Sequence, residues 1–476
     1  MTTNNFAFKE NFTPVSSEVE VFDLLTVDGQ LPKQLKGVLY RNGPNPQFPP
    51  MGELHHWFLG EGMVHAIKVE DGKVSYQNKW VRTPQYLTQK MANERLVPTS
   101  FEELFGGKAK MPASLSCTNA VWHGEKLYAL DESMLPMLLN PETLEAEGYT
   151  DFAGKYVGPL TAHPKVDPDT GDLIVFGYQT DGPGTKRMAL GQIDKEGNLK
   201  SYDTFEVPVC CMVHDFVLTT EHVLFPLCPG TIDLGRIAQN KPVIAWEPGV
   251  GNHIGIMERS VGVSSMRWFK GPSSFLYHPM NGYSYEKDGK KYLIADVMLF
   301  NSAPLFPDTN GAYHLPWIEK GMAKLVRWTF DLSSEHDGYD EEIICYIEGE
   351  FPRIDERYLG KKYSIGFYIA RVERHYSGCG FDTLIKVNVD TGKIETWRSP
   401  HDVGLLEPIF VPRSNDAEEG DGWIITLGYN KEREASDFLV FDANSVSAGP
   451  IARVELPVRV PYGFHGSWRD NRPGIN

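Results

Sequence analysis

The chain reads as an all-β protein of the β-propeller type, and three observations lead there. Short apolar runs alternate with turn chemistry from Leu35 onward, one hairpin pattern recurs along the whole length, and helical periodicity is scarce. Glu70-Asp-Gly72 separates His65-Ala-Ile-Lys-Val from Lys73-Val-Ser-Tyr, with apolar and polar residues alternating on both sides, a hairpin by period and by turn type. Comparable turns stand at His123-Gly-Glu125, Asp169-Thr-Gly171, Lys195-Glu-Gly197, Lys287-Asp-Gly289 and Asp390-Thr-Gly392. The segments that begin at Lys165-Val-Asp and Lys386-Val-Asn look like two copies of one hairpin. Repeated hairpins, with 45 glycines and 33 prolines, suggest small sheets arranged radially.

Taken in order, the polar residues 1–34 predict an N-terminal arm that wraps the surface. Ser100 is placed to cap a short helix starting at Phe101, and Pro316-Trp-Ile-Glu-Lys-Gly predicts another. The long insertions 229–253 and 306–322 predict a cap over one face, where loops would meet a substrate. Length alone suggests two or three domains. No composition shift or low-complexity linker marks a boundary, however, so residues 1–476 are expected to form a single propeller domain.

With 41% hydrophobic residues in 476, a large core is available. The 46 basic and 63 acidic residues leave a formal charge of −17, which repels phosphate backbones and argues against a nucleic-acid partner. An uncharged lipophilic substrate stays open. Cys117, Cys210, Cys211, Cys228, Cys345 and Cys379 form no CxxC pair, a usage typical of a reducing compartment. The N-terminus has neither a basic nor an apolar signal region, and no stretch approaches the roughly 20 apolar residues of a membrane span. A cytoplasmic protein is expected, and the Asn11-Phe-Thr13 sequon then carries no meaning.

Nucleotide, zincin and α/β-hydrolase motifs are missing, and the glycines of Gly249-Val-Gly251-Asn-His-Ile-Gly255 have the wrong spacing for a dinucleotide fold. His123-Gly-Glu125 has the form of a two-His-one-carboxylate iron site but lies in a turn. Of the 14 histidines, four share a setting: His163, His214, His278 and His465. Each adjoins an apolar strand and a residue that stiffens or opens the backbone, namely Pro164, Asp215, Pro279 with Asn281, and Gly466. Imidazoles spread this widely hold a redox metal only by converging in space. His55, His56 and His65 flank the Trp57–Gly62 loop and are read as ordering it, whereas His222, His336 and His401 are read as surface.

These motifs, in this order and over nearly the whole length, resemble the carotenoid cleavage oxygenases, a family that includes apocarotenoid- and stilbene-cleaving enzymes. Arg41-Asn-Gly-Pro-Asn45 and Gly60-Glu-Gly-Met63 look like its opening signatures. Ala162-His-Pro-Lys-Val-Asp167, Met212-Val-His-Asp-Phe216 and His278-Pro-Met-Asn281 are similar to its first three ligand motifs. Glu407-Pro-Ile-Phe-Val-Pro412, Asp421-Gly-Trp423 and Phe464-His-Gly-Ser-Trp468 complete the set.

The resemblance implies a seven-bladed propeller with Fe(II) on its axis, held by neutral His163, His214, His278 and His465. It also implies glutamates at the outer ring nitrogens of three ligands, at Glu132, Glu350 and Glu407, because a carboxylate accepting Nδ1–H fixes the tautomer and strengthens the donor. The implied chemistry splits an alkene into two carbonyls with O₂. That cleavage removes four electrons from the substrate, enough to reduce O₂ fully, so no nucleotide or flavin is needed. An apolar tunnel would position the double bond and exclude water, with Asp131, Phe101 and Tyr313 as expected pocket residues.

The stilbene-cleaving branch grips a phenol with a lysine just before the first of these glutamates, where this chain has Asp131, and no tyrosine partner occurs between Thr99 and Lys110. The expectation is therefore an apocarotenoid or similar polyene, with stilbenes or phenylpropenes of the lignostilbene or isoeugenol type as the alternative. Peripheral membrane contact through the Leu227–Leu234 segment would suit such a lipophilic substrate. Two readings of other classes compete: a non-catalytic propeller that serves as an interaction platform, and a hydrolase using Asp131 and Glu132 as paired carboxylates. The oligomeric state is left open.

Overall fold

The computed structural model describes residues 9–50, 55–313, 322–372, 380–400 and 403–473. Among these, antiparallel strands dominate, and the turns that join them behave as their residues dictate. Asp71 and Gly72 both adopt left-handed φ angles, 50° and 74°, as do Gly124 with Glu125 and Asp288 with Gly289. Two successive left-handed residues give the turn whose twist matches that of the flanking strands. The two look-alike hairpins share one hydrogen-bonding scheme. Gly171 N–H donates to the Asp167 carbonyl and Gly392 N–H to the Asn388 carbonyl, each at 2.8 Å. The Asp167 and Asn388 side chains in turn accept from the amides two and three residues on.

Three sheets are four-stranded, and one of them runs in simple order through Asn119–His123, Lys126–Leu130, Met137–Leu139 and Ala146–Tyr149. A second runs from Lys165–Val166 to Leu199–Glu206, and a third from Val217–Leu218 to Arg267–Gly271. A seven-stranded sheet extends from Phe275–Lys287 to Ile394–Arg398. A six-stranded sheet is built around Gly422–Asn430, and a five-stranded sheet pairs Gly37–Pro44 with the last strand, Gly466–Asp470.

By contact density the chain divides into two compact units, residues 1–151, 376–384 and 395–476 in the first, 152–375 and 385–394 in the second. The first packs Val38, Tyr40, Val64, Leu127, Met137 and Leu139 together. In the second, the Phe176 ring meets Phe216 and Phe225 edge-on at 5.2 and 5.7 Å. Each such buried ring contributes roughly 1.5–3 kcal/mol.

Several expectations change here. The described part of the arm is woven into sheets: Glu20–Leu24 pairs with Lys73–Trp80, and Asp28–Gly29 with Pro450–Glu455. A helix at Pro84–Ala92 was not anticipated, although Thr83 caps it, Pro84 opens it and left-handed Asn93 ends it. The helix Phe101–Phe105 forms with Ser100 as its cap. The proposed Pro316 helix lies outside the described residues. Insertion 229–253 folds into the two-stranded ribbon Gly230–Ile232 with Ile244–Trp246, and Trp246 N–H donates to the Pro307 carbonyl of the other insertion at 2.8 Å. Because Leu227, at the end of the strand His222–Leu227, Cys228 after it and Ile232 in the ribbon are all buried, the Leu227–Leu234 segment offers no apolar patch to a membrane. No helix among the described residues is long and apolar enough to cross one.

Candidate metal centre

Three of the four singled-out histidines belong to the second unit. His163 precedes the strand Lys165–Val166, its backbone N–H held by Thr161 Oγ1 at 2.9 Å. His214 lies just before the strand Val217–Leu218. His278 stands inside Phe275–Lys287 where the register slips on both sides of Pro279. Proline has no N–H for the ladder, so the strand bulges there and re-aims the imidazole. Asn281 steadies the bulge by donating to the Tyr358 carbonyl at 2.9 Å and accepting from Gly360 N–H at 3.0 Å. The Nε2 atoms of His163 and His214 lie 2.9 Å apart, and those of His214 and His278 3.1 Å apart.

The outer nitrogen of His278 meets Glu350 Oε2 at 2.6 Å, and the same oxygen accepts from Phe351 N–H at 2.5 Å. This glutamate sits where the strand Asp340–Ile354 bulges between Glu350 and Arg353. Phe351 is held at φ +58°, strained for a bulky residue, and its ring stacks on the His278 imidazole at 5.5 Å.

His465 belongs to the first unit. Its N–H donates to the Thr118 carbonyl at 3.1 Å, and its own carbonyl accepts from Asn42 N–H at 2.9 Å. His465 Nδ1 meets Glu407 Oε1 at 2.8 Å, while Glu407 Oε2 accepts from Gly466 N–H at 3.1 Å. Gly466 is obligatory, since a Cβ there would lie 2.0 Å from the Tyr40 carbonyl oxygen. Trp57 and Phe58 pack on Phe464 with ring centroids at 4.4 and 5.4 Å.

All four histidines are buried, and their ligand-capable nitrogens lie within 4.8 Å of one another. The donor set fits a metal ion. With Nδ1–H of His278 and His465 given to carboxylates, the Nε2 atoms present lone pairs, and converging lone pairs repel unless a cation joins them. Two ligand nitrogens on metal–nitrogen bonds of about 2.1 Å can stand ~3.0 Å apart, close to the two Nε2 separations above.

The remaining expected site residues fall as follows. Glu132 is half-buried in the turn after Lys126–Leu130. Asp131 does not offer its carboxylate to a substrate: it is 5% exposed, and its oxygens accept from Ser116 N–H, Ser133 N–H and Ser133 Oγ, each at 2.7 Å. That also removes it from a hydrolytic pair with Glu132. Phe101 opens its helix with its ring 4.8 Å from His56, and Tyr313 is 54% exposed. His123-Gly-Glu125 is the tip of a hairpin with Glu125 exposed. His222 is not at the surface: it is buried, with Nδ1 2.8 Å from Ser284 Oγ, and burial lowers its pKa. His336 is exposed, and His401 lies outside the described residues. His65 meets Tyr76 OH at 2.8 Å, and burial, then Arg41 and Arg459, push its pKa down to about 3.

Two contributors were not assigned from sequence. Asp215, noted only as a neighbour of His214, stands 3.6 Å from His163 Nδ1 and pairs with Lys165 at 2.8 Å. In the opening signatures, Glu61 and Asn42 serve as scaffold. Buried Glu61 is gripped by Gln85, Gln89 and Arg95, and Asn42 holds the Ser116 and Asn119 carbonyls.

A profile of the retinal pigment epithelial membrane protein family matches residues 12–470. Lignostilbene-α,β-dioxygenase isozyme III of Sphingomonas paucimobilis is 34% identical, with 96% of this chain and 95% of that protein covered. The crystal structure of Pseudomonas brassicacearum lignostilbene dioxygenase superposes with a TM-score of 0.91 at 33% identity, covering 98% of each chain. Cobalt-substituted Synechocystis apocarotenoid oxygenase superposes with a TM-score of 0.83 at 26% identity, covering 96% of this chain and 97% of that one. Fold and site thus define an oxygenase in which four buried histidines cluster as a candidate metal site. The chain belongs to the carotenoid cleavage oxygenase family, the retinal pigment epithelial membrane protein family of the profile.

Proposed function

We propose that this oxygenase holds Fe(II) on His163, His214, His278 and His465 and uses O₂ to split a carbon–carbon double bond into two carbonyl products. The observation that carries the reading is the convergence of four buried histidines, two of them braced by buried glutamates. Four neutral imidazoles would hold the ion without cancelling its +2 charge, and the ion would supply O₂ activation. The chain's own part is positional. Glu350 and Glu407 set tautomer and ring orientation, and Glu132 is assigned the same part for a third ligand. Phe351 beside His278 and Phe464 beside His465 supply apolar walls that keep water from the reacting alkene.

We place this centre on a seven-bladed β-propeller. In support, the long strand Asp340–Ile354 divides the seven-stranded sheet into two groups of four that share it, which, with the two-stranded ribbon set aside, brings the sheets among the described residues to seven. The pairing of Gly37–Pro44 with Gly466–Asp470 is the kind of first-to-last closure such a ring requires.

For the substrate, an alkene conjugated to an oxygenated aromatic ring comes first, because both lignostilbene enzymes stand nearer to this chain than the apocarotenoid oxygenase. A polyene is the second reading. It is favoured by Asp131, whose engaged carboxylate takes the place where a phenol-gripping lysine would stand. The test is a product screen against stilbenes, phenylpropenes and apocarotenals under labelled O₂, with aldehydes reduced at once to prevent exchange with water. Label from O₂ in the products is expected. Products that carry no label from O₂ would overturn the oxygenase reading, and anaerobically purified protein without iron would favour a non-catalytic platform.

A further inference from the structure

We infer that Arg41, in the Arg41-Asn-Gly-Pro-Asn45 stretch, is a positioning residue for His465 that acts through Glu407; this rests on the four-histidine metal reading. The Arg41 and Glu407 side chains are each 2% exposed. One guanidinium nitrogen, Nη1, donates to the Glu407 carbonyl at 3.1 Å and reaches Glu407 Oε2 at 3.4 Å; the other, Nη2, donates to the Phe464 carbonyl at 2.9 Å. A single planar group thus ties together the peptide that carries the carboxylate and the peptide immediately before the ligand. It also supplies the counter-charge to the carboxylate that receives His465 Nδ1–H.

The strand register makes this reach possible. Arg41 pairs directly opposite Gly466, the residue after the ligand. A Cβ built on Gly466 would lie 3.0 Å from Arg41 Cγ, so the bare glycine leaves the path across the strand open. Close approach of the two motifs is enforced one step further on, where a Cβ on Gly43 would fall 2.5 Å from Gly463 Cα. Lysine is not equivalent here, because an ammonium is a point charge and cannot bridge two carbonyls and a carboxylate in one plane. Methionine fills similar space and leaves the buried carboxylate without its guanidinium.

The experiment is an anaerobic Co(II) titration of metal-free protein, followed by the d–d absorption of the loaded site, for wild type, Arg41→Met, Glu407→Gln, Glu350→Gln and the two double variants. Arg41→Met should weaken cobalt affinity ~10–100-fold, the usual cost of removing an outer partner, and should shift the d–d bands, which a loss of general stability would not move. In the Glu407→Gln background the same change should add at most about twofold, while in the Glu350→Gln background the losses should multiply. Unchanged affinity and spectrum in Arg41→Met, or equal multiplication in both backgrounds, overturns the inference. If Arg41→Met does not fold, Arg41→Lys takes its place: a band shift is expected, and a wild-type spectrum and affinity overturns it. A wild-type chain that takes up no cobalt defeats the metal reading and this inference together, whereas bound cobalt that is indifferent to Arg41 defeats the inference alone.

Discussion

The His278–Glu350 and His465–Glu407 pairs present the same contact, an imidazole Nδ1 on a buried carboxylate at 2.6 and 2.8 Å, yet they are built differently. Glu350 sits on a bulge of its own strand. One oxygen takes both His278 Nδ1 and the next amide, and Phe351 is held at φ +58° beside it. Glu407 divides its oxygens: one takes His465 Nδ1, while the other takes Gly466 N–H and the Arg41 guanidinium. The first carboxylate is aimed by local backbone strain, the second by a long-range ion pair. Similar geometry at two proposed ligands therefore does not mean similar vulnerability.

The largest expected effect tests whether the two sides belong to one centre at all. Replacing His278 or His465 by alanine should abolish turnover and sharply lower iron content, measured by metal analysis of anaerobically purified protein. Full iron and turnover in either variant would remove that residue from the ligand set. The next effect separates the two carboxylates. Glu350→Gln can keep its one oxygen toward both donors, but Glu407→Gln must turn an NH₂ toward either the ligand or the Arg41 and Gly466 donors. Metal affinity should fall about 10–100-fold for Glu407→Gln and by less for Glu350→Gln; the reverse order would show that strain, not the ion pair, is the more fragile support.

A smaller change probes the backbone on the His465 side. Gly466→Ala forces a Cβ onto the Tyr40 carbonyl oxygen, and destabilisation of roughly 1–3 kcal/mol is expected by denaturant titration, as for other overpacked sites. The smallest effect is a pH response. His65, whose pKa burial and the nearby Arg41 push down to about 3, stays neutral in the folded protein while the unfolded chain takes up a proton. Its stabilising contribution is therefore fully present above pH 6.5 and is lost as pH falls from there toward 3. Between pH 6.5 and 5.5 that amounts to about 1 kcal/mol. His65→Gln should flatten this part of the stability curve, and an unchanged slope would mean that His65 is not the group responsible.

The turns were legible because their information is local. Asp71-Gly72 and Asp288-Gly289 need only two residues that tolerate positive φ, and the Asp167 and Asn388 side chains organise their own loops. The helix at Pro84–Ala92 is not legible from periodicity, although its cap, opening proline and terminal asparagine are all present, because its exposed Leu87 and Met91 break the apolar stripe that a surface helix shows. His222 was misplaced for the opposite reason: its neighbours in sequence are polar, but its neighbour in space is Ser284.

By itself the sequence determined which donors exist, in what order, and where the chain must turn: the four histidines beside proline, aspartate or glycine, the glutamates, and the hairpins. Only the tertiary structure decided what each donor meets. It paired Glu350 with His278 across 72 residues and Glu407 with His465 across 58, and it brought Arg41 to Glu407 across 366. It also spent Asp131 on two serines instead of a substrate. The physical reason is range: a turn is set by the torsional preferences of two or three adjacent residues, whereas a buried hydrogen bond depends on which distant strands pack together and in what register.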